Sequence, residues 1–223
     1  SADRDLAAET DVLLDAGVRA FRMFPLYHCV DFHDPPLRDI LALLAARGSA
    51  LWLDFDQLWY DFEQLGEHEQ RAVDFGLAAS LASDYPELRL VLVGVNFTHH
   101  TRLLGLLGKH PNVLVETSLL QGFEIIERIC NEFGAERLLF GTGVPVTAPG
   151  AARAMLAYAD ISDDDRRMIA SANLETLLGE PRTVTPPDDT GRDSLLVAVD
   201  SGAPLSSIPV HDCHGHIAPE GYD

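Results

Sequence analysis

Positive charge is what this sequence has least of. Sixteen Lys and Arg stand against 35 Asp and Glu, a formal net charge of -19. A nucleic-acid partner needs a basic footprint, so that class is excluded. Docking on anionic lipid is excluded on the same ground. Cysteine is scarce: Cys29, Cys130 and Cys213 lie far apart, with no C-x-x-C zinc signal and no paired framework. That usage fits a reduced, cytoplasmic compartment. No apolar run approaches the roughly 18 residues of a membrane span. No G-x-G-x-x-G follows a strand, so a dinucleotide site has no support. The chain does not begin with Met and shows no signal peptide, which reads either as a removed start residue or as a piece of a longer polypeptide.

What is present is apolar and periodic. The 223 residues are 47% hydrophobic, enough for one domain with a sizeable core, or one domain plus part of a second. Helical spacing runs from Asp5 to a stop at Gly17, and Val18 to Pro25 alternates as a strand. Asp34-Pro35-Pro36 opens a helix that ends at Gly48, and Ala50 to Phe55 is a short buried strand. A polar, aromatic loop leads to a helix from about Glu67 to Ser83. Leu88 to Val95 is a nearly continuous apolar run, as a parallel strand covered on both faces requires. The pattern continues with a helix over Thr101–Gly108, a strand over Asn112–Ser118, a helix over Phe123–Phe133 and a strand over Arg137–Thr142. Helices follow over Gly150–Tyr158 and Asp163–Leu178, the second capped by Ser162 with three Asp in its first turn. Such alternation implies parallel strands with right-handed crossovers, in either a closed barrel or an open doubly wound sheet. Residues 181–207 form a Pro- and Asp-rich linker in which Asp193–Gly202 fits a short capped helix better than a strand, and residues 208–223 begin a fresh strand.

Two stretches carry a resemblance. YPELRLVLVGV, HPNVLVETS, FGAERLLFGTGVP and ISDDDRRMIASANLETLLG, within Tyr85–Gly179, follow the order and spacing of the last strands and terminal helices of the amidohydrolase-related family. That family includes aminocarboxymuconate-semialdehyde and γ-resorcylate decarboxylases. The second stretch, Val210-His211-Asp212-Cys213-His214-Gly215-His216-Ile217, resembles the H-x-H that ends the family's first strand. Two His at i and i+2 on a strand project to the same side. The resemblance implies an α/β, TIM-type (β/α)8 barrel, incomplete or circularly permuted within this chain. A complete barrel takes about 250 residues. It also implies three regions: a barrel portion over 1–180, the linker over 181–207, and over 208–223 the first strand of a second or permuted barrel.

The family's chemistry is metal-dependent hydrolysis or nonoxidative decarboxylation of a small carbonyl-containing substrate, with a divalent ion, zinc foremost, lowering the pKa of a bound water. The resemblance assigns metal binding to His214 and His216. Other ligands of the pattern are missing. The family's last-strand Asp in "FGsDyP" falls on Gly143, and its "lvlgH" His falls on Val95, give or take one position within Gly94-Val95-Asn96. Neither glycine nor valine ligates a metal through its side chain, so the site reads as degenerate and the cofactor could be lost altogether. Secondary candidates at the barrel face are His28, Asp54, Asn96 and His99. His99 and His100 also fit a helix N-terminus, and His28, Asp31, His33 and Asp34 also fit an ordinary loop. Asp54 and Asp56 fit either a carboxylate pair or a turn. Trp52, Trp59, Tyr60 and Phe62 fit a pocket mouth or core packing, and Arg19 and Arg22 fit carboxylate binding or buried ion pairs. The expectations are a small-molecule ligand and a homo-oligomer. Enzymatic action is set against a non-catalytic barrel with a structural or dimerisation role.

Overall fold

The structure is a computed structural model that describes residues 5–25, 31–55, 74–144 and 147–179. The chain divides into two units, Ser1–Pro181 and Arg182–Asp223, and every described residue lies in the first. His28, Cys29, Asp56, Trp59, Tyr60, Phe62, the linker, the Asp193–Gly202 helix and the strand carrying His214 and His216 lie outside the described residues.

Helix and strand alternate through the chain: α1 (Leu6–Asp15), β1 (Ala20–Met23), α2 (Pro35–Ala46), β2 (Ala50–Asp54), α3 (Phe75–Asp84), β3 (Arg89–Val93), α4 (His100–Leu107), β4 (Val113–Glu116), α5 (Ile125–Phe133), β5 (Leu138–Leu139), α6 (Pro149–Tyr158), α7 (Asp163–Arg167) and α8 (Asn173–Leu178). Local chemistry sets the ends. Asp5 accepts from the Ala8 amide at 3.1 Å to start α1. Gly17, at φ +97°, lets the chain turn out of that helix. Ser162 Oγ accepts from the Asp165 amide at 3.1 Å and opens α7. The helix expected over Asp163–Leu178 is continuous but contains a π turn at Met168–Ala172. There the Ile169 carbonyl accepts from the Phe140 amide at 3.1 Å, outside the helix.

The five strands among the described residues are all parallel and pair in sequence order, β1-β2-β3-β4-β5. The two faces of this sheet differ. Leu51, Leu53, Leu90, Leu92, Val113, Val115 and Leu138 join one large core to which α1 through α6 all contribute. On the opposite face Val91, Leu114 and Leu139 form a small separate cluster, with Trp52 and Leu177 packed against them. A doubly wound sheet carries helices on both faces, whereas a barrel wall carries them outside and small apolar layers inside. The sheet is therefore the wall of an incomplete (β/α)8 barrel.

At the amino-terminal rim, three buried polar side chains tie the turns together. Asn112 donates from its amide nitrogen to the carbonyls of Ala82, Tyr85 and Leu88, each at 3.1 Å. Arg137 donates to the carbonyls of Val113 and His110 at 2.7 Å and of Leu107 at 3.2 Å. Asn173 donates to those of Ala135 and Leu138 at 2.8 Å. Each side chain bonds several carbonyls at once, some of which, such as those of Tyr85 and His110, also accept a backbone amide.

Asn112→Ala is expected to lower unfolding free energy by about 2 kcal/mol, because it strands several buried acceptors at once. Asn112→Asp is expected not to rescue it, since a carboxylate has no donor. Urea denaturation of the three proteins checks both.

Candidate functional site

Because side chains alternate along a strand, the inner face is lined by every second residue. Arg22, Trp52, Asp54, Val93, Glu116 and Gly141 all meet a cavity of about 390 Å³ at the carboxyl ends of the strands. Barrel sites form at this end. The register sets Arg22 beside Trp52 and Asp54 beside Val93. Val91, Leu114 and Leu139 form the apolar layer beneath.

Two carboxyl groups differ in how they are held. Asp54 is 1% exposed and accepts from Arg22 Nε at 2.8 Å and from Arg22 Nη2, both on Oδ2. The Arg22 side chain is 56% exposed, so the pair joins a buried anion to a cation that reaches the mouth. The guanidinium also lies 5.1 Å from the centre of the Phe24 ring. This pair answers the choice left open for Arg22: it is an ion-pair partner at the pocket. Arg19 instead donates to the Leu14 and Val18 carbonyls at the end of α1.

Glu116 ends β4. Its Oε1 accepts from the Ser118 amide at 2.9 Å and its Oε2 from Ser118 Oγ at 2.6 Å. Burial pushes its pKa above the ordinary carboxylate range, against the opposing pull of the Ser118 hydrogen bonds and Arg22; the charge on Asp54 adds to the rise. The carboxyl lies directly over Gly141, where any Cβ would overlap Oε1. Gly141 is held in place by its neighbour: its amide donates to Thr117 Oγ1 at 3.1 Å. Two residues on, Gly143 has φ +68°, and a Cβ there would overlap Thr147 Oγ1, which itself donates to the Thr142 carbonyl.

The remaining sequence candidates fall elsewhere. Asn96 and His99 form a reciprocal cap on the short 3-10 turn Phe97–His99: Asn96 Oδ1 accepts from the Thr98 amide at 3.0 Å, and His99 Nδ1 accepts from the Asn96 amide at 3.3 Å. Burial lowers the His99 pKa. His100 packs its ring on Gly122, and burial lowers its pKa too. Asp31 accepts from the His33 amide at 2.8 Å, and the Asp34 carbonyl starts α2. Val95 is buried in the large core. Cys130 is free, and burial pushes its thiol up to about 11, which favours the protonated form. Of the secondary candidates described, Asp54 alone lines the cavity. Glu116 and Gly141 are additions that only the folded register brings together.

The donor set does not fit a divalent ion among the described residues. No group of three or more His, Cys, Asp or Glu converges there. Asp54 is committed to Arg22, and Glu116 is biased by burial toward its neutral form. His28, His214 and His216 lie outside the described residues. No described helix is long and apolar enough to cross a membrane.

A family model for amidohydrolases matches residues 1–179, and the chain belongs to that family. Among solved structures it is similar to an uncharacterized TIM-barrel protein from Bordetella bronchiseptica, at TM-score 0.61 and 20% identity, over 77% of this chain and 60% of that one. It is also similar to 5-carboxyvanillate decarboxylase LigW from Sphingomonas paucimobilis, at TM-score 0.57 and 14% identity, over 78% and 63%. A putative amidohydrolase from Staphylococcus aureus follows at TM-score 0.55 and 13% identity, over 78% and 68%. These likenesses show the fold. The chain spans less than two thirds of the first two structures, 60% and 63%. No curated protein matches the chain.

Two expectations follow for Glu116. Gly141→Ala is expected to destabilise by about 1–3 kcal/mol through overpacking against the carboxyl. Adding Glu116→Ala is expected to recover most of that loss in a double-mutant cycle. The raised pKa also fixes a sign. Glu116 contributes stability that is fully present below its unfolded pKa and is lost as pH rises through its higher folded value. Glu116→Gln is therefore expected to remove part of the decline in melting temperature toward neutral pH, read by scanning calorimetry across pH.

Proposed function

We propose that this chain carries the ligand pocket of an amidohydrolase-family barrel in which the metal centre is degenerate. It then holds a small carbonyl-containing compound without hydrolysing or decarboxylating it through the family's ion. The observation that carries this reading is the Arg22–Asp54 pair: the one secondary candidate that lines the cavity has its carboxylate committed to a guanidinium. By the family resemblance, the pattern's His falls on Val95, give or take one position within Gly94-Val95-Asn96, and its last-strand Asp on Gly143; the side chains of Val95 and Gly143 offer no metal ligand.

The lining suits a small planar ligand with a polar oxygen. Trp52 and Phe24 provide ring surface, and Arg22 provides a cation at the mouth. The similar Sphingomonas protein is a 5-carboxyvanillate decarboxylase, so a ring bearing a carboxyl group is a fitting class of compound.

Metal content of the purified full chain, before and after incubation with zinc or manganese, tests the reading. The expected result is a folded chain with well under one ion bound. A stoichiometric ion that disappears in the His214→Ala, His216→Ala double variant would overturn it and restore the hydrolase or decarboxylase reading. A folded, metal-free chain that binds no small carbonyl compound would leave the structural or dimerisation role in its place.

A further inference from the structure

We propose that Glu116 reads the ligand in its protonated form, donating a hydrogen bond to an acceptor oxygen of the bound compound, so that ligand and proton are taken up together. This rests on the pocket reading above and adds the group that selects the ligand. The basis is placement. Glu116 stands at the carboxyl end of β4 on the face that lines the cavity, directly above the apolar layer of Val91, Leu114 and Leu139. Ser118 takes one position on each of its oxygens through the 2.9 and 2.6 Å hydrogen bonds. The remaining positions have no room to retreat, because the carboxyl is seated against Gly141. A ligand entering the cavity meets a carboxyl whose orientation is already fixed, which limits the ordering cost of binding.

Charge then sets the preference. Arg22 from β1 and Asp54 from β2 are the charged groups that act on Glu116 across the cavity, with opposite signs and Arg22 the stronger, and their formal charges cancel. The described lining from β5 onward adds only Gly141, Thr142, Gly143, Val144 and Thr147, none of which titrates. With Glu116 protonated the described lining is neutral and offers a donor. With Glu116 ionised it carries one net negative charge and repels an anionic oxygen. Burial, which favours the protonated form, works in the same direction.

The test is calorimetric titration of the full chain with benzoate from pH 5.5 to 8.5, repeated in buffers of different ionisation heat. Benzoate itself stays ionised above about pH 5. The expected result is a dissociation constant that rises about tenfold per pH unit above the Glu116 titration point, with one proton taken up per ligand. Glu116→Gln keeps a donor in the same place, so it should bind benzoate with that slope abolished. Gly141→Ala, which drives the carboxyl off its seat, should weaken binding at least tenfold. Benzoate binding with no slope in the wild type, or with the slope intact in Glu116→Gln, would sink the inference and leave the pocket reading standing. If neither benzoate nor neutral benzamide binds to the wild type, both fall.

Discussion

The inner surface of this sheet depends on a single constraint: five described parallel strands in register, with α1 through α6 packed on one side only. Once the large core claims Leu51, Leu53, Leu90, Leu92, Val113 and Val115, the residues between them have to face inward. Trp52, Val91 and Leu114 then form a dry layer, and the next residues along, Asp54, Val93 and Glu116, form a wet one above it. A shift of one residue in any strand would turn both layers outward and bring that strand's large-core residues in. The polar ties of Asn112, Arg137 and Asn173 at the opposite rim fix the starts of β4 and β5. They hold the register from the end away from the pocket, which matches the usual division of a barrel into a stability end and a site end.

Much of the fold was legible because the signals are local and redundant. The apolar run Leu88–Val95 gave β3, and Ser162 with three following Asp marked the start of α7. The motif order across Tyr85–Gly179 identified the family that the match over residues 1–179 establishes. The π turn at Met168–Ala172 was not legible, because it answers a distant need: the Phe140 amide requires the Ile169 carbonyl. Whether the sheet was a barrel wall or doubly wound was equally hidden, since both share the same alternation along the chain. The clustering of buried residues on one face decides it.

The pocket was legible only in part. Asp54, singled out from its position at a strand end, does line the cavity. Asn96 and His99 look the same by that criterion, yet a short polar side chain after a strand can also cap the next turn, and here the local hydrogen bonds prevail. Glu116 was missed because VLVETS reads as an ordinary polar strand end. Its significance depends on Gly141, 25 positions along the chain, and nothing short of the β4–β5 register relates the two. A glutamate two residues beyond a buried inward leucine, on a strand whose neighbour ends in Phe-Gly, is the signal that could have raised it.

Glu116 and Gly141 occupy one shared volume on adjacent strands. The smallness of the second is the condition for the first, so the two positions are sterically coupled. Exchanging the two residue types would transfer the acidic group across the sheet, keeping the cavity filled while moving its acidic edge from β4 to β5. Comparisons that score these columns separately would record two unrelated replacements where the fold permits a single migration.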